Sequence, residues 1–270
     1  MKVAFQGEKG AYSETAVYTF FGAKVDVKPC RDLAEAFESV DKQETKFGVV
    51  PVENSLEGSV NQTYDLFLKH DLKVCGEVII RVSHCLVANL NTSIEEIKTV
   101  YSHPQALAQC RNFLERSGWE LIPTYDTAGS AKMLKEKGLK NAAAVASERA
   151  AELYGLKILA REIEDNPNNY TRFFVLSKED SPKTGNDKTS IIFAAAHKPG
   201  SLYQALGEFA KRGISLTKIE SRPTKQTPWE YNFYLDFEGH RSESRCVEAL
   251  EALRKYSAFI KILGSYPKAA

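Results

Sequence analysis

Up to about Ser177, short apolar runs alternate with stretches whose apolar residues recur every three or four positions. The runs KVAFQ (2–6), KVDVKPC (24–30), FGVVPV (47–52), TVYSH (99–103), LIPTY (121–125), AAAVAS (142–147), LKILA (156–160) and RFFVLS (172–177) are predicted strands. VCGEVIIRVSHCLVA (74–88) is a longer one. Between them, ETAVYTFFG (14–22), LAEAFESVDK (33–42), SVNQTYDLFLKH (59–70), PQALAQCRNFLERSG (104–118), AGSAKMLKEKG (128–138) and ERAAELYG (148–155) read as helices. Such alternation predicts parallel α/β units. The two long strand-like stretches, GEVIIRVSHCLVA and NNYTRFFVLS, are natural passages between lobes. Two α/β lobes with a cleft between them follow, the chain leaving the first lobe near Val78 and returning near Tyr170.

The pattern breaks at SKEDSPKTGNDK (177–188), a polar segment with Pro and Gly that reads as a linker. Beyond it, SIIFAAAH, ISLTKIESRP, EYNFYLDFEG and FIKILGSY are predicted strands. One helix, PGSLYQALGEFAKRG, places Leu202, Leu206 and Phe209 on one face and stops at Gly213. A second, SRCVEALEALRKY, does the same with Cys246, Leu250 and Leu253. The order βαββαβ is that of a ferredoxin-like unit. No internal repeat is visible.

Composition narrows the class. The chain has 270 residues, 43% hydrophobic and 26% charged, with a net charge of +1, so no global field draws it to nucleic acid or membrane. Cys30, Cys75, Cys85, Cys110 and Cys246 are scattered, with no metal-ligand spacing and no disulfide framework. The opening MKVAFQGEKG lacks an apolar secretory core, and no run is long enough to span a bilayer. The expected location is the cytoplasm.

Candidate chemistry sits where strands end and helices begin, because helix N-termini there point N–H groups outward. Four such junctions are small and polar: QGEKGAYSE with Gly7 and Gly10, ENSLEGSVNQ with Ser59 and Gln62 at capping-box spacing, SHPQAL with Pro104 suited to a first turn, and DTAGSA with Asp126, Thr127 or Ser130 as caps. Around one cleft they would form a basin of donors for an anionic ligand. FQGEKGAYS is not GxGxxG, and Asp26 alone does not make a dinucleotide site. There is no P-loop. His103 precedes a proline and has no spaced ligand partner, so it reads as a cap. Glu53 and Glu57 offer a carboxylate pair but fit a solvated loop. NNYTRFFVLS (168–177) poses a sharper question: two amides, Tyr170, Thr171 and Arg172 lead directly into a buried strand.

In order and spacing, VAFQGEKGAYSE, GVVPVENSLEGSV, SHPQALAQC, DTAGSA, NYTRF, PGSL and ESRP resemble prephenate dehydratase with an appended ACT regulatory domain, across essentially the whole chain. The resemblance implies an α/β fold. It would be a two-lobed, periplasmic-binding-protein-like catalytic domain over 1–178 (lobes 1–77 with 165–178, and 78–164), a linker over 179–188 and a ferredoxin-like ACT domain over 189–267. The implied reaction turns prephenate into phenylpyruvate, water and carbon dioxide without cofactor or metal, since aromatisation drives it. Thr171 is then the catalytic residue, donating to the leaving hydroxyl. The substrate-binding candidates are Asn54, Ser55, His103, Thr127, Ser130, Arg172 and Phe173, with Arg172 alternatively in a structural ion pair. All are expected around one inter-lobe cavity. Pro199, Gly200, Ser201 and Leu202, with Glu220, Ser221, Arg222 and Pro223, are implied to bind L-phenylalanine as an allosteric inhibitor at a dimer seam, in a homodimer or homotetramer. Two rivals remain: arogenate as substrate, alone or beside prephenate in a dual-specificity cyclohexadienyl dehydratase, and a small-molecule sensor without catalysis.

Overall fold

The computed structural model describes residues 1–196, 198–224 and 229–269. The last position of the expected strand SIIFAAAH, residue 197, lies outside them. Strands and helices alternate from the start: β1 (Lys2–Gln6), α1 (Tyr12–Phe21), β2 (Asp26–Cys30), α2 (Leu33–Asp41), β3 (Phe47–Asn54), β4 (Gly58–Ser59), α3 (Asn61–Lys69) and β5 (Lys73–Arg81). Then come β6 (Cys85–Ala88), β7 (Thr99–Ser102), α4 (Pro104–Gln109), α5 (Arg111–Glu115), β8 (Glu120–Pro123), α6 (Thr127–Glu136), β9 (Ala142–Ala146), α7 (Glu148–Tyr154), β10 (Lys157–Ala160) and β11 (Tyr170–Ser177). The final part holds β12 (Asp187–Ala195), α8 (Ser201–Ala210), β13 (Leu216–Pro223), β14 (Tyr231–Glu238), α9 (Ser244–Leu253) and β15 (Ser257–Pro267).

Two sheets carry the first part. One has the order β2-β1-β3-β11-β5, with β4 paired to β3; the other has the order β10-β6-β9-β7-β8. β1 pairs in parallel with β2 and β3, as the βαβ reading predicts. The second sheet is mixed: β9 is parallel to β7 but antiparallel to β6, and β10 is antiparallel to β6. The continuous run AAAVA explains why β9 is central. Successive side chains point to opposite faces. Ala142, Ala144 and Ala146 pack with Ala128, Ala131 and Leu134 of α6, while Ala143 and Val145 pack with Ala106, Leu107 and Leu114 of α4 and α5.

Two expected elements are broken. Residues 74–88 form two strands rather than one, because the chain passes from the first sheet to the second over residues 82–84. The passage thus falls after Arg81. The helix expected over 104–118 divides at Cys110, whose φ of −114° and ψ of 21° end α4, and whose side chain is fully buried.

The described chain divides into two compact units, Met1–Leu68 with Val78–Phe173, and Lys69–Glu77 with Phe174–Ala270. In the second, β13-β14-β12-β15 form an antiparallel sheet. Ile191, Phe193, Leu235 and Phe237 face α8 and α9 across a core with Phe209, Cys246 and Leu253. The opposite face is buried too. Lys188 Nζ pairs with Glu77 Oε1 at 2.9 Å, and Phe174 meets Tyr266 edge to face at 5.5 Å. A Cβ at Gly264 would lie 2.1 Å from the Val74 carbonyl oxygen, so only glycine fits there. Within this unit the ferredoxin-like sheet therefore packs on the segments of β5 and β11 that belong to it.

Candidate active site

Within the first unit, the start of each of α1, α2, α4 and α6 contributes lining residues to a cavity of about 390 Å³, represented by Tyr12, Leu33, Gln105 and Thr127. A smaller cavity of about 130 Å³ adjoins it; both are lined by Tyr12, Asn54, His103, Gln105, Thr127 and Thr171. The loop before α1 closes one side. Gly10 has φ +91°, and its Cβ would meet Ala150 Cα at 2.9 Å, so a side chain would force the loop off α7. With glycine there, Ser147 Oγ donates to the Gly10 carbonyl at 2.7 Å, and Arg149 pairs with buried Glu14 at 2.9 Å. Lys132 holds Glu8 of the same loop at 3.0 Å.

At the end of β3, Asn54 Nδ2 donates to Thr171 Oγ1 at 3.0 Å and to Asn169 Oδ1 at 2.7 Å. With its oxygen accepting from Asn54, the Thr171 hydroxyl keeps its own proton to donate. Asn169 Nδ2 reaches Gln109 Oε1 at 3.0 Å, and Gln109 Oε1 lies 3.1 Å from His84 Nε2. His84 is buried between Gln109 and Tyr12, and that burial lowers its pKa from the usual histidine range.

What the cleft offers an anion is helix dipoles more than cations. Ala11 caps α1 without a side-chain hydrogen bond, and Tyr12 and Ser13 of that first turn line the cavity, so the positive end of the helix lies at it. His103 caps α4 by accepting from Gln105 N at Nδ1, 3.2 Å away, which puts the proton of a neutral ring on Nε2. Arg31 is the cation among the lining residues; Asp32 and Asp126 are the carboxylates. Asp126 accepts from Gly129 N at 2.7 Å, and burial pushes its pKa up.

Of the residues singled out in the sequence, Asn54, His103, Thr127 and Thr171 line both cavities, and Phe173 lines the larger. Three do not join them. Ser55 Oγ is taken up by the Asn168 carbonyl at 2.8 Å and by Tyr170 N at 2.9 Å. Ser130 is fully buried, its hydroxyl 2.8 Å from the Asp126 carbonyl and 2.5 Å from Thr124 Oγ1. Arg172, one position along the strand from Thr171, turns to the other face and pairs with Glu53 at 3.0 Å. That pair also accounts for Glu53, one half of the carboxylate pair with Glu57. Ser59 pairs within β4 opposite Glu53 instead of beginning a helix. Tyr12, His84, Gln109 and Asn169 belong to the site but were not singled out. Gln105 and Gln109, four apart on a helix opening on the cleft, were the available signal for one of them.

In the second unit, Pro199, Gly200, Ser201 and Leu202 line a cavity of about 730 Å³ beside Tyr231 and Phe233. Gly200, at φ +82°, caps α8 without a side-chain bond, and Ser201, Leu202 and Tyr203 of that first turn line the cavity. Glu220, Ser221, Arg222 and Pro223 lie on β13, opposite Tyr234, Phe233, Asn232 and Tyr231 of β14, and do not line this cavity. Among the described residues no group of three or more His, Cys, Asp or Glu is placed to hold a metal ion, and no helix is long and apolar enough to cross a membrane.

Comparison with known proteins adds a second line of observation. The prephenate dehydratase family model matches residues 3–181, and the ACT domain model matches residues 189–255. A bifunctional chorismate mutase/prephenate dehydratase of Aquifex aeolicus is 46% identical over 272 residues, covering 100% of this chain and 74% of that protein. The chloroplastic arogenate dehydratase/prephenate dehydratase 2 of Arabidopsis thaliana is 44% identical, covering 99% and 73%. Among solved structures, the prephenate dehydratase of Arthrobacter aurescens in complex with L-Phe superposes with a TM-score of 0.90 at 34% identity, covering 99% of this chain and 90% of that one. GqqA, described as a novel type of quorum quenching acylase, superposes with a TM-score of 0.91 at 35% identity, covering 100% and 98%. With the family match over most of the chain and relatives this similar across its full length, the chain belongs to the prephenate dehydratase family of hydro-lyases and carries an ACT domain.

Proposed function

We propose that the cleft converts prephenate to phenylpyruvate, and that L-phenylalanine bound at the ACT domain restrains it. The observation that carries the first part is the Asn54–Thr171 hydrogen bond, which leaves a hydroxyl donor facing a cavity lined by helix N-termini. In the reaction the ring carboxylate leaves as carbon dioxide. Its bonding electrons complete the aromatic ring, and the carbon–oxygen bond across the ring breaks. The departing hydroxide takes up one proton to become water. Hydroxide leaves poorly, so a hydrogen bond that strengthens as charge builds on that oxygen lowers the barrier. Thr171 is the donor for that oxygen. A threonine hydroxyl is a weak acid, so it donates a hydrogen bond rather than giving up its proton outright. The uncapped turn of α1, His103 Nε2–H and Arg31 are the positively polarised groups for the carboxylates.

Asp32 and Asp126 in the lining support a second reading, because a carboxylate can hold the ammonium that arogenate carries in place of the keto group. The test is product analysis after incubation with each substrate separately: phenylpyruvate from prephenate, or phenylalanine from arogenate. Faster turnover of arogenate would favour the second reading, and no turnover of either would overturn both.

Support for regulation comes from the cavity beside Gly200, which pairs the first turn of α8 with aromatic side chains. That combination suits an amino acid with an apolar ring. The 220–223 segment does not line this cavity in its own chain, and the reading has a second copy bring it to the ligand, in a homodimer or a homotetramer.

A further inference from the structure

The hydrogen bonds behind the cleft form a chain whose direction is fixed at one end. Leu56 N and Glu57 N donate to Asn54 Oδ1 at 3.0 and 3.1 Å. A backbone N–H can only donate, so the other end of the Asn54 amide is its NH2. That NH2 donates to Thr171 and to Asn169 Oδ1, and Asn169 must then turn its own NH2 to Gln109 Oε1. An amide oxygen can only accept, so His84 Nε2, 3.1 Å from Gln109 Oε1, carries a proton. In a neutral ring Nδ1 is then bare. The Tyr12 hydroxyl, 3.3 Å from Nδ1, gives its proton to the Ser83 carbonyl at 2.5 Å. Two backbone N–H groups thus dictate a histidine tautomer through three amides.

The consequence falls on Gln109. Its oxygen is held by two donors, from Asn169 and His84, and its NH2 is the end left for the smaller cavity that Gln109 lines. Nε2–H is spent on Gln109, and Nδ1 faces the Tyr12 oxygen inside the protein, where His84 is buried, so the ring offers the ligand no polar atom. We propose that His84 is a positioning residue for the dehydratase reaction: its Nε2–H locks Gln109 with the NH2 facing the substrate, and it acts on catalysis only through Gln109. This rests on the dehydratase reading above.

Two measurements test it. In ¹⁵N-histidine-labelled wild type without substrate, long-range ¹H–¹⁵N spectra should show His84, identified by its loss in His84→Gln, as the neutral Nε2–H tautomer. An Nδ1–H tautomer or an imidazolium near neutral pH overturns the relay. In steady-state kinetics, His84→Leu should lower kcat about 10²-fold, the scale of a misplaced catalytic contact. His84→Gln, which keeps a donor near Nε2, should recover part of the loss. In a Gln109→Ala background His84→Leu should have almost no further effect, because the group it positions is gone. Additive losses would mean that His84 does not act through Gln109, and would overturn the proposal even if His84→Leu folds poorly, since the cycle can be run with His84→Gln. A wild type that makes no phenylpyruvate contradicts the dehydratase reading and takes this proposal with it.

Discussion

Thr171 and Arg172 are neighbours in sequence with opposite fates. Alternation along β11 sends the hydroxyl to the cavity and the guanidinium to Glu53. The consequence for catalysis is specific. Thr171→Ala should lower kcat by roughly two to four orders of magnitude with the fold intact, and Thr171→Ser should retain more activity because the donor remains. Steady-state kinetics with circular dichroism as the fold control checks both; an alanine variant with near-normal kcat would remove Thr171 from the mechanism. His84 gives a stability prediction. Burial lowers its pKa from the usual 6.5. Below the unfolded value, the unfolded chain binds a proton that the folded protein resists, so this contribution to stability is present above pH 6.5 and is lost as pH falls. The urea midpoint of the wild type should therefore drop between about pH 8 and about pH 5 by more than that of His84→Gln, other groups being common to both. Equal drops would mean that His84 titrates normally.

At the scale of elements, the cleft depends on backbone that approaches closely without side chains. Gly10→Ala should cost about 1–3 kcal/mol from its positive φ, plus the displacement of α7 that contact with Ala150 demands. Gly22→Ala, at φ +79° with nothing within 4 Å, pays the backbone term alone. Chemical denaturation should rank Gly10→Ala as the more harmful and also show it weakening substrate binding; the reverse order would mean that the loop adapts freely. Most elements were legible in the sequence, because apolar runs and three-to-four spacing report local burial. The breaks at 82–84 and at Cys110 were not, since VSH and QCR are locally compatible with continuing strand and helix, and only tertiary packing decides. That Thr171, Asn54, His103 and Thr127 share one lining is what the family resemblance implies and no local spacing would suggest. Ser55 and Ser130 were misplaced because hydroxyls at strand ends and in first turns serve structure as readily as ligands. Asn169 is one of the two amides that lead into the strand over 172–177, but its role depends on Gln109, 60 residues away, which spacing cannot reveal. His84 sits among apolar residues and reads as core.

For the whole molecule, β5 and β11 each have one end in the ACT-containing unit and the other in the catalytic unit, β11 with Phe174 against Tyr266 and Thr171 three residues earlier. A ligand that prefers one arrangement of the ACT domain needs only about 1–3 kcal/mol of coupling to change substrate affinity roughly 5–150-fold. Gly200→Val should weaken that control while sparing activity without L-phenylalanine. The residue has open space around it but a φ of +82°, so valine reshapes the loop without a clash. An unchanged half-inhibitory concentration would place the effector elsewhere. The most direct test of the account is the initial rate of phenylpyruvate formation from prephenate by the full chain, followed by absorbance as L-phenylalanine is titrated. The account predicts phenylpyruvate without added cofactor or metal, and a rate that falls saturably as L-phenylalanine rises to millimolar levels or below. Absence of phenylpyruvate at every concentration, or a rate indifferent to L-phenylalanine, would contradict it.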